Sequence, residues 1–514
     1  MFLMGRSEAA VVPSRRMARK GRNAGVVAPS LLFAATALAP LPFGSNELAA
    51  VAFWCIILGL CLVCCPVRGL RSSQLVAVCI GVLVVAAYGL VLHEQLADRP
   101  WLGASPHPIW HEAEVALGVP LAASVSIARD QPWSELGRPL VCILAIACGF
   151  FIGASYRRAL QLLKVIAWSG SAYAVYGILE YLLDPARILW RQKDAYLESV
   201  TGTFINRNTA AVYFGSCSIV CLLLLCRRVR SRLGGGPVEW QKVQHRILYR
   251  TDRDLILGFV MIFVCLTAMF MTRSRAGVIL SLTAMIVAFM LYFRRDLPQR
   301  IGVIAPVLGG IALALGLLQL MGGGVNARFD AQGIADEGRL ATWRATLRMI
   351  ADHPWFGTGE GTFVWNFPSY RSADMSMRGV WDHAHNTLLE LAADMGIPLA
   401  ALVTTAWILI FASLISAVRV RRHDLLLPTC ALSVAMLAIL HSSVDFSLQI
   451  PGYSIPTLAL IGAGIARALA DDWKDPRGRR VLRRSTFASR SAGAIVAGQT
   501  VNRSVTVNRS LRDI

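Results

Sequence analysis

Apolar runs of about 17 to 25 residues recur along this 514-residue chain, each long enough to cross a lipid bilayer as a helix. Twelve such spans fall near 26–43, 47–65, 74–92, 138–154, 162–182, 208–226, 254–272, 276–293, 301–321, 387–413, 425–445 and 453–470. Hydrophobic residues are 55% of the chain and mean hydropathy is +0.54, well above an ordinary soluble domain. The expected fold class is therefore all-α: a polytopic inner-membrane protein of about twelve transmembrane helices, with one large outer loop between spans 9 and 10. The divisions are a basic cytoplasmic tail (1–25), spans 1–9 (26–321), a periplasmic loop (322–386), spans 10–12 (387–472) and a disordered cytoplasmic tail (473–514).

A net charge of +20 suggests nucleic acid until its distribution is read. Arg6, Arg15, Arg16, Arg19, Lys20 and Arg22 precede the first span; Arg68 and Arg71 follow the second; Arg157, Arg158 and Lys164 follow the fourth. The same holds after the sixth (Arg227 to Arg253), the eighth (Arg294, Arg295, Arg300), the tenth (Arg419, Arg421, Arg422) and the twelfth (Arg477 to Arg484). Every second connection is basic, as expected when both termini are cytoplasmic. The charge thus points to membrane lipids as partners and away from nucleic acid. The twelve cysteines sit almost entirely inside spans, so no disulfide framework is expected, and Cys61, Cys64 and Cys65 read as packing residues. The sequons at Asn502 and Asn508 belong to the cytoplasmic tail.

The long polar loop carries Trp381-Asp382-His383-Ala384-His385-Asn386 just before span 10. Histidine titrates near neutrality and suits proton transfer, although one at a helix start also serves as a plain capping residue. Glu390, one turn on, is placed to orient an imidazole. Upstream, Leu340, Trp343, Leu347 and Ile350 recur at helical spacing between Gly338 and Pro354, predicting an amphipathic helix with Arg339 at its start and Arg344 and Arg348 on another face. The Gly357-x-Gly359-x-Gly361 run lacks the preceding strand and following Lys-Ser/Thr of a phosphate loop, and reads as turns.

Arginines on the outer side run against the positive-inside bias. Arg273 and Arg275 occupy the turn between spans 7 and 8, and Arg207 precedes span 6 in Asn206-Arg207-Asn208-Thr209. A guanidinium matches phosphate oxygens bidentately and keeps its charge, so a lipid-linked pyrophosphate would account for them; snorkelling to lipid headgroups is the alternative. Asn208-Thr209 also reads as a helix cap. His441 and Asp445, one turn apart near the end of span 11, are spaced to pair.

Taken in order, Ser274-Arg275-Ala276-Gly277, Gly338-Arg339 with Trp343, Asp352-x-Pro354-x-Phe356-Gly357-x-Gly359-x-Gly361-x-Phe363, Tyr370 and His383-Ala384-His385-Asn386 resemble the bacterial O-antigen ligase and O-antigen polymerase-like superfamily over roughly 200–460. The resemblance implies metal-independent glycosyl transfer from an undecaprenyl-pyrophosphate-linked oligosaccharide to a saccharide or lipid acceptor, with no cofactor. By matching positions, His385 would be the general base, and Arg275 and Arg339 would hold the pyrophosphate. Arg207, Arg273 and His383 join them as candidate substrate contacts, and Asn386, Glu390, His441 and Asp445 as supporting residues. Ligases of the family carry His-Asn, nine residues and a glycine, then a small residue three further on; Gly396 fits here, but Leu399 occupies the last position. That departure favours polymerisation of O-antigen or exopolysaccharide over ligation to lipid A core or protein O-glycosylation. A lipid-linked sugar flippase is the rival from another class, but transporters place polar groups near the midplane, and here they cluster at one face.

Overall fold

Backbone that finds no water bonds to itself, and the apolar runs accordingly fold as helices. The computed structural model describes residues 15–67, 69–232, 253–296, 337–372, 375, 380–421 and 424–470, with side chains from residue 26 onward. The expected ninth span (301–321), the opening of the long loop (322–336), Arg68, the basic connection 233–252 and most of both tails lie outside these residues.

The order among the described residues begins α1 (Arg15–Leu38), α2 (Leu48–Val63), α3 (Ser72–Leu96), α4 (Ile109–Leu117), α5 (Gln131–Glu135) and α6 (Gly137–Gly153). It continues with α7 (Tyr156–Leu183), α8 (Arg207–Arg232), α9 (Arg253–Met271), α10 (Arg275–Phe293), α11 (Glu337–Asp352) and α12 (Phe363–Tyr370). The last are α13 (Thr387–Met395), α14 (Ile397–Val420), α15 (Leu426–Ser442) and α16 (Pro451–Ala468). Between α7 and α8 a small antiparallel hairpin pairs Arg187–Ile188 with Arg191–Gln192. Among the described residues seven helices, including α3, α7 to α10 and α14, are long and apolar enough to span a bilayer; Val26–Leu38, α2 and α15 are shorter apolar helices. The protein is an all-α polytopic membrane protein.

Small residues set the centre of the bundle. A Cβ on Gly149 would lie 2.1 Å from the Ala459 carbonyl oxygen, and one on Gly153 only 2.3 Å from Ala463 Cα. A Cβ on Gly462 would lie equally close, 2.1 Å, to the Ile146 carbonyl oxygen. With lipid tails as apolar as leucine, close backbone approach supplies the packing gain, and α6 and α16 lie against one another because glycine permits it. Helix α8 is buried on nearly every side between α7, α9, α10 and α15.

One expectation needs correction. Span 10 is not one helix: the chain breaks at Gly396 (φ +86°), where a Cβ would meet the Trp355 carbonyl oxygen at 2.2 Å, and Pro398 then opens α14. Short α13 therefore belongs with the loop, and only α14 runs on as a span. The expected amphipathic helix is present as α11. Thr342, Ala345, Thr346, Met349 and Ile350 face inward, while Leu347 is 54% exposed, because small residues let α11 close onto α13. Phe363, Phe367, Ala384, Ala392 and Ala393 complete a separate apolar core that fixes the loop as a body.

The three loop glycines are packing positions, all at positive φ: Gly357 against the Asp394 carbonyl, Gly359 against Ser126 Oγ and Gly361 against Glu135 Cγ. Gln95 locks the same corner, donating to the carbonyls of Phe356 (2.6 Å) and Asp394 (2.8 Å) and accepting from Glu360 N (3.1 Å).

Candidate active site

Asn386 caps α13, its Oδ1 accepting from Leu388 N and Leu389 N at 3.2 Å, as a short amide side chain at a helix start does. Its Nδ2 donates to Ser443 O (3.1 Å), tying the helix start to the turn after α15. The residue before it, His385, is held at φ +51°, a conformation unfavourable for a non-glycine residue. That backbone turn places the imidazole over Phe446 (ring centroids 5.3 Å) and edge-on to Trp381 (6.0 Å).

Asp445 sits beneath it, 1% exposed, with Oδ1 3.7 Å from His385 Nδ1. Oδ1 also accepts from Phe446 N (2.8 Å), and Oδ2 accepts from Asn208 Nδ2 and lies 3.6 Å from an Arg339 guanidinium nitrogen. Burial pushes such a carboxyl up, yet the neighbouring imidazoles of His385 and His441 and the Arg339 guanidinium outweigh it and hold Asp445 below the usual carboxylate range. Arg339 also donates to Val444 O (2.5 Å), so its fork is committed to this turn.

The second imidazole is placed by the opposite end of α13's first turn. His383 Nδ1 lies 2.7 Å from Glu390 Oε1, and its ring stacks on Phe446 at 4.0 Å. Glu390 accepts as well from Ala384 N (2.7 Å) and Gln449 Nε2 (3.1 Å). Burial disfavours both charges, but the pair favours both, so His383 is raised and Glu390 lowered. Glu390 thus orients His383, where the sequence left the choice of imidazole open. Trp343 Nε1 fixes the peptide between the histidines through Ala384 O (3.1 Å).

The arginines arrive along one hydrogen-bonded path. Ser274 caps α10 and donates to Asn208 Oδ1 (2.8 Å), and Asn208 holds Asp445, so Arg275, the first residue of α10, adjoins this network. Arg273 (φ +53°) pairs with Glu198 at 2.8 Å, and Arg207 lies over the Tyr196 ring at 4.7 Å. Asn208 is therefore not the cap the sequence suggested, since the helix already starts at Arg207; its amide joins α8, α10 and the turn after α15. His441 turns Nδ1 toward Ser447 Oγ (3.2 Å). Gln449 was not foreseen as support, because it acts on Glu390, a residue remote in the chain. Among the described residues no group of three or more His, Cys, Asp or Glu is placed to hold a metal ion.

Residues 260–404 match the model of a family described as O-antigen ligase. The stretch runs from α9 into α14 and includes Arg273, Arg275, Arg339, His383, His385 and Glu390, whereas Arg207, Asn208, His441 and Asp445 lie outside it. The match supports placing the chain in the O-antigen ligase-like superfamily, and with it an activity of the O-antigen ligase or polymerase type in general. No curated protein matches the chain.

Proposed function

We propose that the protein transfers a glycosyl unit from an undecaprenyl-pyrophosphate-linked saccharide to an acceptor hydroxyl at the periplasmic face of the inner membrane, polymerising O-antigen or exopolysaccharide repeat units. The observation carrying this reading is the His385 imidazole, set at the start of α13 with Nδ1 toward buried Asp445. That carboxylate favours the tautomer with the proton on Nδ1 and leaves Nε2 as the base. The acceptor oxygen attacks the anomeric carbon as its bond to the pyrophosphate oxygen breaks, inverting the centre. The hydroxyl proton passes to His385 Nε2, and the bonding electron pair leaves on undecaprenyl pyrophosphate. Arg275, with Arg207 and Arg273 beside it, supplies fixed positive charge for that leaving group. Arg339 holds Asp445 and hence the base.

Leu399 supports polymerisation over ligation, since a buried leucine wedged against Val91 of α3 stands where the ligases have a small residue. Ligation to a lipid A core acceptor is the second reading, favoured by the description of the matched family.

The test is the length profile of lipid-linked and surface glycan in a deletion strain carrying native protein or His385→Ala. Loss of the long-chain ladder, with single repeats still transferred, is the expected result. Full-length chains stranded on undecaprenyl pyrophosphate would make the protein a ligase. A normal ladder with His385→Ala, where deletion abolishes it, would overturn the assigned base.

A further inference from the structure

The connection between α7 and α8 reaches the candidate arginines at one end and carries the small hairpin at the other. At its near end Glu198 pairs with Arg273, Val200 N donates to Met271 O (2.9 Å), and Tyr196 lies under Arg207. At its far end the hairpin tip presents Trp190, 76% exposed, with its ring edge-on to Phe43 (5.0 Å). Between them lies a polar group that no partner completes. Glu180 Oε1 accepts from Tyr176 Oη (2.5 Å) and Leu189 N (2.9 Å), while Oε2 is out of solvent with no hydrogen bond. Lys193 Nζ is likewise out of solvent and unbonded, as is Arg207 Nε. Burial draws the Lys193 ammonium below its ordinary range, partly countered by Glu180 and Asp184 nearby.

An orphaned carboxylate oxygen next to an orphaned ammonium narrows what can complete the site. An anion is repelled by Glu180 and a cation by Lys193. A neutral ligand that both donates and accepts satisfies the two together, and leaving either unsatisfied is costly. Sugar hydroxyls do both, and aromatic faces such as Trp190 and Tyr196 suit the C–H faces of pyranose rings.

We infer that Glu180 and Lys193, flanked by Tyr196 and Trp190, form a saccharide subsite that holds sugar residues of the lipid-linked substrate beyond the one attached to pyrophosphate. This rests on the glycosyl-transfer reading above and adds to it where the glycan runs.

The experiment measures binding by full-length protein in nanodiscs of two probes: lipid-linked saccharide extracted from the host, and undecaprenyl pyrophosphate without sugar. Lys193→Met and Glu180→Gln should each weaken the first by about tenfold and leave the second unchanged. Trp190→Ala, at an exposed tip where folding is not at stake, should do the same to a smaller degree. Equal losses for both probes, or no loss in any variant, would overturn the subsite. Native protein that binds neither probe would overturn the glycosyl-transfer reading, and the subsite with it.

Discussion

Asp445→Asn tests the assigned chemistry most directly, because it keeps the shape of a buried side chain and removes only its charge. When His385 takes the acceptor proton, its imidazolium forms 3.7 Å from Asp445 Oδ1. At an effective dielectric of about 20 that attraction is about 4 kcal/mol, and partial exposure of the imidazole reduces it to roughly 2–3 kcal/mol. The turnover rate should then fall roughly 30- to 150-fold, at about 1.4 kcal/mol per factor of ten. Folding should survive: the Asn208 amide can flip to face the new amide, and the Ser274 hydroxyl can reverse its role. The assay is the initial rate of glycan formation from saturating lipid-linked donor with purified protein, alongside His385→Ala and the double variant. If Asp445 acts through His385, adding Asp445→Asn to His385→Ala should cost little more. Full turnover in Asp445→Asn, or losses that simply multiply in the double variant, would refute the reasoning.

Gly357→Ala should destabilise the loop by about 2 kcal/mol or more, read as a lowered Tm with little activity left at the growth temperature, since a Cβ at φ +65° would lie 2.3 Å from the Asp394 carbonyl. The buried acids predict a pH dependence. Burial, with Glu135 and Glu390 nearby, lifts Glu360 from its ordinary 4.5 to about 8, and burial with Glu390 and Glu360 nearby lifts Asp394 well above its usual range. The folded state therefore holds protons that the unfolded chain releases, so this contribution to stability is complete below about pH 4.5 and fades as pH rises to about 8. Melting curves of Glu360→Gln should show a flatter decline across that interval; an unchanged slope would remove Glu360 as its source. Asp445 and Glu390, held low, act in the opposite sense and withdraw stability only as pH falls into the acid range.

Much of the architecture was legible because one rule governs it. A long apolar run in lipid has to be a helix: ten of the twelve expected spans coincide with single helices, span 10 is broken at Gly396, and span 9 (301–321) lies outside the described residues. Motif spacing likewise singled out His383, His385 and the arginines before any contact was known. Local chemistry misled where distant backbone decides. Asn208 looks like a cap from its neighbours, but its amide is claimed by Ser274 and Asp445, far along the chain.

The sequence by itself thus determined most of the described helices and the residue types suited to moving a proton or holding a phosphate, since these follow from local composition and period. Tertiary structure decided the break at Gly396, the pairing of Glu390 with His383 in place of His385, the seat of Asp445 under the candidate base, and the orphaned polar atoms behind the hairpin. Each depends on which groups from separate helices meet at one end of the bundle, and such meetings are fixed by packing across the whole chain.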